Sequence, residues 1–113
     1  MPRFVILEHD WPTVHWDFLL EAGSVLRAWR LLGEPGRGRK LAAEANADHR
    51  LLYLDYEGPV SGNRGSVRRW DAGTFEWLAD SPARVVVVLR GEKLAGQCVI
   101  EPNPEGVLFA SFE

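Results

Sequence analysis

His15 and Asp17 stand one residue apart in Val14-His15-Trp16-Asp17-Phe18-Leu19-Leu20. Side chains alternate faces along a strand, so Val14, Trp16, Phe18 and Leu20 form one apolar face while His15, Asp17 and Leu19 share the other. An imidazole and a carboxylate then point into one space. His9 precedes them across a bend containing Pro12, which can fold it over the same space. His49 follows Asp48 just before another predicted strand and falls at a rim. Two imidazoles and a carboxylate are a common ligand set for Mn²⁺, Zn²⁺ or Fe²⁺, leaving positions for water or substrate. A further His or Lys beside such a set can hold a phosphate or give a proton to a leaving oxygen. The same pattern also suits the facial triad of an Fe(II) oxygenase on a cupin-like barrel. The plainest alternative is that these imidazoles simply face solvent.

The elements that must position these groups read as short β-strands divided by Gly, Pro, Asn and Asp. Strands are expected at Arg3 to Leu7, Val14 to Glu21 and Val25 to Leu32, with Ala22-Gly23 as the turn between the last two. Gly33 to Arg39 reads as a flexible loop. Lys40 to Ala47 has enough helical character for a turn or two. Leu51 to Tyr56 reads as a strand. Ser66 to Trp70 and Thr74 to Leu78 flank Asp71-Ala72-Gly73, a hairpin signal. The Val-rich run Arg84 to Arg90 suits a central strand. Gly91-Glu92-Lys93 turns the chain into Leu94 to Glu101, and Val107 to Phe112 ends it. Many short strands at close spacing predict an all-β fold with little helix, a compact closed or nearly closed β-barrel of antiparallel strands. One domain over 1–113 is expected, because no repeat, low-complexity tract or linker interrupts the chain.

Composition narrows the function classes. The 113 residues are 46% hydrophobic and 26% charged, with a net charge of −3. That balance is ordinary for a globular protein and poor for one that coats nucleic acid nonspecifically. A local basic patch remains possible: Arg27, Arg30, Arg37, Arg39 and Lys40 form one group, and Arg64, Arg68 and Arg69 another. No apolar run approaches the roughly 20 residues that span a bilayer. The first residues turn acidic too soon for a signal peptide, so a cytoplasmic protein without a membrane partner is expected. Cys98, the single cysteine, reads as a small buried hydrophobe. Five tryptophans (Trp11, Trp16, Trp29, Trp70 and Trp77) suit core and rim packing, and Trp11, between two histidines, could stack on a terminal base.

The ordered set of motifs resembles one family. Phe4-Val5-Ile6-Leu7-Glu8-His9-Asp10 and His15-Trp16-Asp17-Phe18-Leu19-Leu20-Glu21 are followed by Val25 to Trp29 and Asp48-His49-Arg50-Leu51-Leu52-Tyr53-Leu54-Asp55-Tyr56-Glu57-Gly58. Gly65-Ser66-Val67, Trp70-Asp71-Ala72-Gly73-Thr74 and Gly91-Glu92-Lys93-Leu94 with Gly96 complete the series. Together they resemble the 3′-phosphoesterase domain of bacterial ligase D over nearly the whole chain. The resemblance implies a β-barrel and Mn²⁺-dependent removal of 3′ phosphates or 3′ ribonucleotides from nucleic-acid ends. By position it implies His9, Asp17 and His49 as metal ligands. His15 becomes the phosphate contact and proton donor, Tyr53 a supporting residue, and Lys40 a phosphate contact one insertion out of register with a family Arg.

The sequence also departs from the family pattern. Leu19 stands where the family has an Arg on the site face, Ala47 where it has a Glu, and the loop Ser61 to Gly65 is shortened. Arg64 or Arg68 is the expected substitute cation, and Leu19→Arg is expected to raise activity. No ligase or polymerase module accompanies the motifs, so a standalone piece working with a separate ligase or end-joining machinery is expected. Three readings follow: a metal-dependent phosphoesterase, a noncatalytic module that binds phosphorylated ends, and the oxygenase.

Overall fold

A computed structural model describes residues 1–113. Nine strands form one antiparallel sheet: β1 (Arg3–His9), β2 (His15–Ala22), β3 (Val25–Leu31), β4 (Lys40–Arg50), β5 (Gly58–Pro59), β6 (Ser66–Ser81), β7 (Arg84–Gly91), β8 (Ala95–Pro102) and β9 (Leu108–Phe112). Their order is β1-β2-β3-β4-β9-β8-β7-β6-β5, and β1 also pairs with β6. That last pairing closes a ring of eight strands and leaves β5 as a short flap on β6. The expected all-β barrel is therefore present.

Strand alternation sorts the apolar residues into two clusters. The barrel interior holds 17 buried residues, among them Phe4, Ile6, Phe18, Leu20, Phe75, Val87 and Phe112. A second cluster of seven lies on the opposite face of β1, β2 and β3, and includes Val5, Leu7, Leu19, Leu26 and Ala28. Such an outer apolar face must be covered. A 3₁₀ turn, Leu51–Leu54, covers it with Leu54, and Tyr53, Tyr56 and Val60 pack alongside. Leu51 to Tyr56, expected as a strand, is thus a turn. Its backbone bonds locally, with Asp55 N–H donating to Leu52 O at 3.1 Å, while its side chains roof the outer cluster.

Two other expectations change. Lys40 to Ala47 is strand, not helix. Its backbone ladders with β9 over Lys40–Ala42 and with β3 over Ala43–Arg50, and Leu41 and Ala43 face inward at a period of two. Ser66 to Leu78 makes no hairpin either. β6 runs unbroken through Asp71-Ala72-Gly73, bonding β1 with its first half and β7 with its second. The Gly-containing triplet marks a close approach: a Cβ on Gly73 would stand 2.8 Å from the Arg90 carbonyl carbon. The buried Asp71 carboxylate accepts from the backbone N–H groups of Glu92 (2.9 Å), Lys93 (3.2 Å) and Leu94 (2.9 Å), and so fixes the β7–β8 turn. Cys98 is buried in the interior, where desolvation pushes its thiol well up, as expected of an inert packing residue. No helix of the chain is long and apolar enough to cross a membrane.

Candidate functional site

β1 extends to His9, so this residue sits on the strand itself. It pairs directly with His15 of β2, and Leu7 pairs with Asp17. All four side chains lie on the outer face of the barrel, at the edge of the roofed cluster. They open into a crevice of about 420 Å³. Its far wall is the end of β4 with His49 and Arg50, the 3₁₀ turn with Tyr53, and the loop carrying Ser61 and Arg64.

Asp17 is the centre. Its Oδ2 is 3.1 Å from His9 Nδ1 and its Oδ1 is 3.0 Å from His15 Nε2. The donor atoms of His9, His15 and Asp17 all lie within 4.8 Å of one another. Burial pushes the Asp17 carboxyl up, but the adjoining His15 ring and the charges of His15, His9 and His49 outweigh it and hold the group below the ordinary carboxylate range.

The second nitrogen of each ring settles its tautomer. A backbone carbonyl can only accept, so the nitrogen facing it must be the N–H. His15 Nδ1 donates to Thr13 O (3.0 Å), His9 Nε2 to Arg64 O (2.9 Å) and His49 Nδ1 to Ala47 O (2.9 Å). In their neutral forms the remaining nitrogens carry lone pairs. His15 Nε2 is buried and has no hydrogen-bond partner despite its nearness to Asp17. His9 Nδ1 likewise turns a lone pair toward a carboxylate oxygen. Two acceptors at that separation repel unless a proton or a cation lies between them, and imidazoles that donate their other N–H to a carbonyl are the usual form of metal-ligating histidine. The donor set thus fits a divalent cation.

The other expected residues divide. His49 lines the crevice, with its ring set edge-on against Tyr53 at 5.7 Å, but it lies outside the tight group that His15 joins. Tyr53 lines the crevice and packs edge-on against both His49 and Tyr56. Arg64 lines the crevice, and its guanidinium donates to Ser61 O at 2.7 Å. Lys40 does not reach the crevice. It starts β4 beside β9, with its ammonium over Phe109 at 4.9 Å. Arg68 also misses it, because neighbouring strand positions face opposite sides, and it pairs with Glu8 at 2.9 Å. Leu19 is fully buried in the outer cluster rather than open to the crevice, so an Arg there would have to displace the roof.

Sequence reasoning counted Arg30 only among a group of surface charges. It lines the crevice and pairs across strands with Asp17. The signal lay in the β2–β3 turn: once Ala22 pairs with Val25, the register carries Asp17 to Arg30.

Comparison with known proteins adds the family. The DNA ligase D 3′-phosphoesterase domain matches residues 7–101. The multifunctional non-homologous end joining protein LigD of Pseudomonas aeruginosa is 31% identical over 106 residues, covering 84% of this chain and 12% of that protein. The LigD DNA repair protein of Mycobacterium tuberculosis strain H37Rv is 35% identical over 104 residues, covering 83% of this chain and 14% of that protein. LigD of Mycolicibacterium smegmatis is 30% identical over 112 residues, covering 84% and 15%. The chain therefore spans only about a seventh of these relatives. Nothing in the match favours an oxygenase.

Proposed function

The chain belongs to the DNA ligase D 3′-phosphoesterase domain family, and from that premise we propose that it is a divalent-metal-dependent phosphoesterase of nucleic-acid 3′ ends. Its role is to clear a 3′ phosphate or a 3′ ribonucleotide before an end-joining ligase seals the strand. The observation that carries this reading is the partnerless, buried Nε2 of His15 beside the Asp17 carboxylate. A cation, with Mn²⁺ first and Zn²⁺ or Fe²⁺ as alternatives, would be held by His9, His15 and Asp17, in place of the His9, Asp17 and His49 set that the sequence motifs implied. When bound it shields phosphate charge and makes water a better nucleophile.

The chain's own groups then do four things. Asp17 fixes the two imidazoles on the floor. The carbonyls of Arg64, Thr13 and Ala47 lock each ring's tautomer and orientation. His49, which lines the crevice and bonds only through Nδ1, contacts the phosphate and in its protonated form gives a proton from Nε2 to the departing 3′ oxygen as water's oxygen joins phosphorus and the old phosphorus–oxygen bond breaks. Tyr53 and Val60, which wall the crevice, exclude bulk water from one side.

The test is Mn²⁺-dependent hydrolysis of a labelled DNA strand ending in a 3′ phosphate or a single 3′ ribonucleotide, compared with His9→Ala. Turnover by the wild type, with a loss of at least 100-fold in the variant, supports the reading. A wild type that binds Mn²⁺ but leaves both ends intact overturns it. That result would favour the second reading, a module that binds phosphorylated ends without turnover, to which the Leu at position 19 points. His15→Ala and His49→Ala separate the two rings: loss of turnover with Mn²⁺ retained marks the phosphate contact, and loss of Mn²⁺ marks the ligand.

A further inference from the structure

Arg30 is the one half-buried arginine of the crevice that has no partner. Arg3, Arg27, Arg68, Arg84 and Arg90 are paired with carboxylates. Arg39 and Arg64 donate to backbone carbonyls. The Arg30 side chain makes no hydrogen bond or ion pair, although Glu44 is its cross-strand neighbour on β4 and Asp17 its neighbour on β2. Asp17 is committed to the two histidines. A partly desolvated guanidinium without an acceptor is costly, and its planar fork of N–H groups matches the oxygens of a phosphate in a two-point contact.

The neighbouring strand explains why this position is available. Leu19 of β2 pairs with Ala28 of β3, and Arg30 lies two residues further along β3 on the same face. A cation at 19 would have to leave the roofed apolar cluster to meet a phosphate. A cation at 30 stands at the crevice already, one strand away from the Asp17 floor.

We propose that Arg30 is the phosphate clamp of this crevice, holding two nonbridging oxygens of a terminal phosphate, and that it takes from β3 the cationic role which Leu19 leaves empty on β2. The assignment rests on the phosphoesterase reading for its catalytic consequence, but not for its binding consequence. Two measurements therefore separate them. The first is binding of inorganic phosphate to the Mn²⁺-loaded full chain, wild type against Arg30→Met and Arg30→Lys. The second is kcat and KM on the 3′-phosphate strand with the same proteins.

Arg30→Met should weaken phosphate binding at least tenfold and lower kcat/KM about 100-fold, the usual scale for removing a preorganised donor. Its melting temperature and Mn²⁺ affinity should stay at the wild-type values. Arg30→Lys should recover part of the phosphate binding, which a purely structural role would not give. Loss of phosphate binding in Arg30→Met when the wild type shows no turnover would sink the phosphoesterase reading and leave the clamp standing. Phosphate binding within twofold of wild type in Arg30→Met would overturn the clamp, whatever the turnover.

Discussion

At the residue scale the crevice is governed by which nitrogen of each imidazole holds its proton. Three backbone carbonyls fix that choice, and the lone pairs of His9 and His15 are left facing one carboxylate. Asp17 is therefore the residue whose removal is felt most. Asp17→Asn keeps the shape but removes the charge, and Mn²⁺ affinity measured by calorimetric titration should fall at least tenfold, the lower end of what even outer-shell partners cost. The same carboxyl makes a pH prediction for the metal-free chain. Its folded pKa lies below the unfolded value, so its stabilisation is fully present above that unfolded value, about 3.9, and is lost as pH falls through the folded pKa. Denaturation midpoints below about pH 4 should fall more steeply with acid in the wild type than in Asp17→Asn; parallel curves would refute this.

At the element scale the strands need fixed ends more than strong local propensity. β6 carries Asp71, whose carboxylate gathers three backbone N–H groups of the β7–β8 turn. That interaction holds β7 and β8 in register although it is made from a third strand. Asp71→Ala would leave the buried Leu94 N–H and the part-buried Glu92 and Lys93 N–H groups without that acceptor, a loss of about 2–4 kcal/mol. Urea unfolding should show the midpoint falling with an unchanged slope. An unfolding free energy within about 0.5 kcal/mol of wild type would mean that water replaces the carboxylate. On the site side the analogous clasp is Asp10, which accepts from Ser66 N–H at 2.8 Å and ties the end of β1 to the start of β6. Gly65 (φ 70°) adjoins it, and a Cβ there would come within 2.7 Å of Trp11 Cβ and closer still to the Asp10 carboxylate.

At the scale of the whole molecule there are two apolar bodies, the barrel interior and the roofed cluster outside β1, β2 and β3. The crevice lies at the edge of the second. Leu19→Arg therefore tests architecture more than chemistry. A charge placed in the outer cluster should cost about 3 kcal/mol or more and expel the 3₁₀ turn, while the barrel persists. Hydrogen exchange should show lost protection over residues 51–60 with β7 and β8 still protected. Equal loss everywhere would mean that the two bodies unfold as one.

The sequence by itself determined the strand class, the barrel, and the pairing of His15 with Asp17 on one face. All of these follow from period-two alternation, which is local. It also placed His9, His49 and Tyr53 around one space, through the ordered motifs of a recognisable family. Only the tertiary structure decided the rest, because the rest depends on register between distant segments. β6 passes straight through Asp71-Ala72-Gly73 because β1 and β7 both bond it, and a hairpin signal cannot reveal two partners. Lys40 and Arg68 carry the right charge but leave the crevice, one to β9 and the other to the opposite face. Arg30 enters it because a two-residue turn sets its strand against Asp17. Charge can be read along a chain, but the space into which it points is fixed by which strands pair.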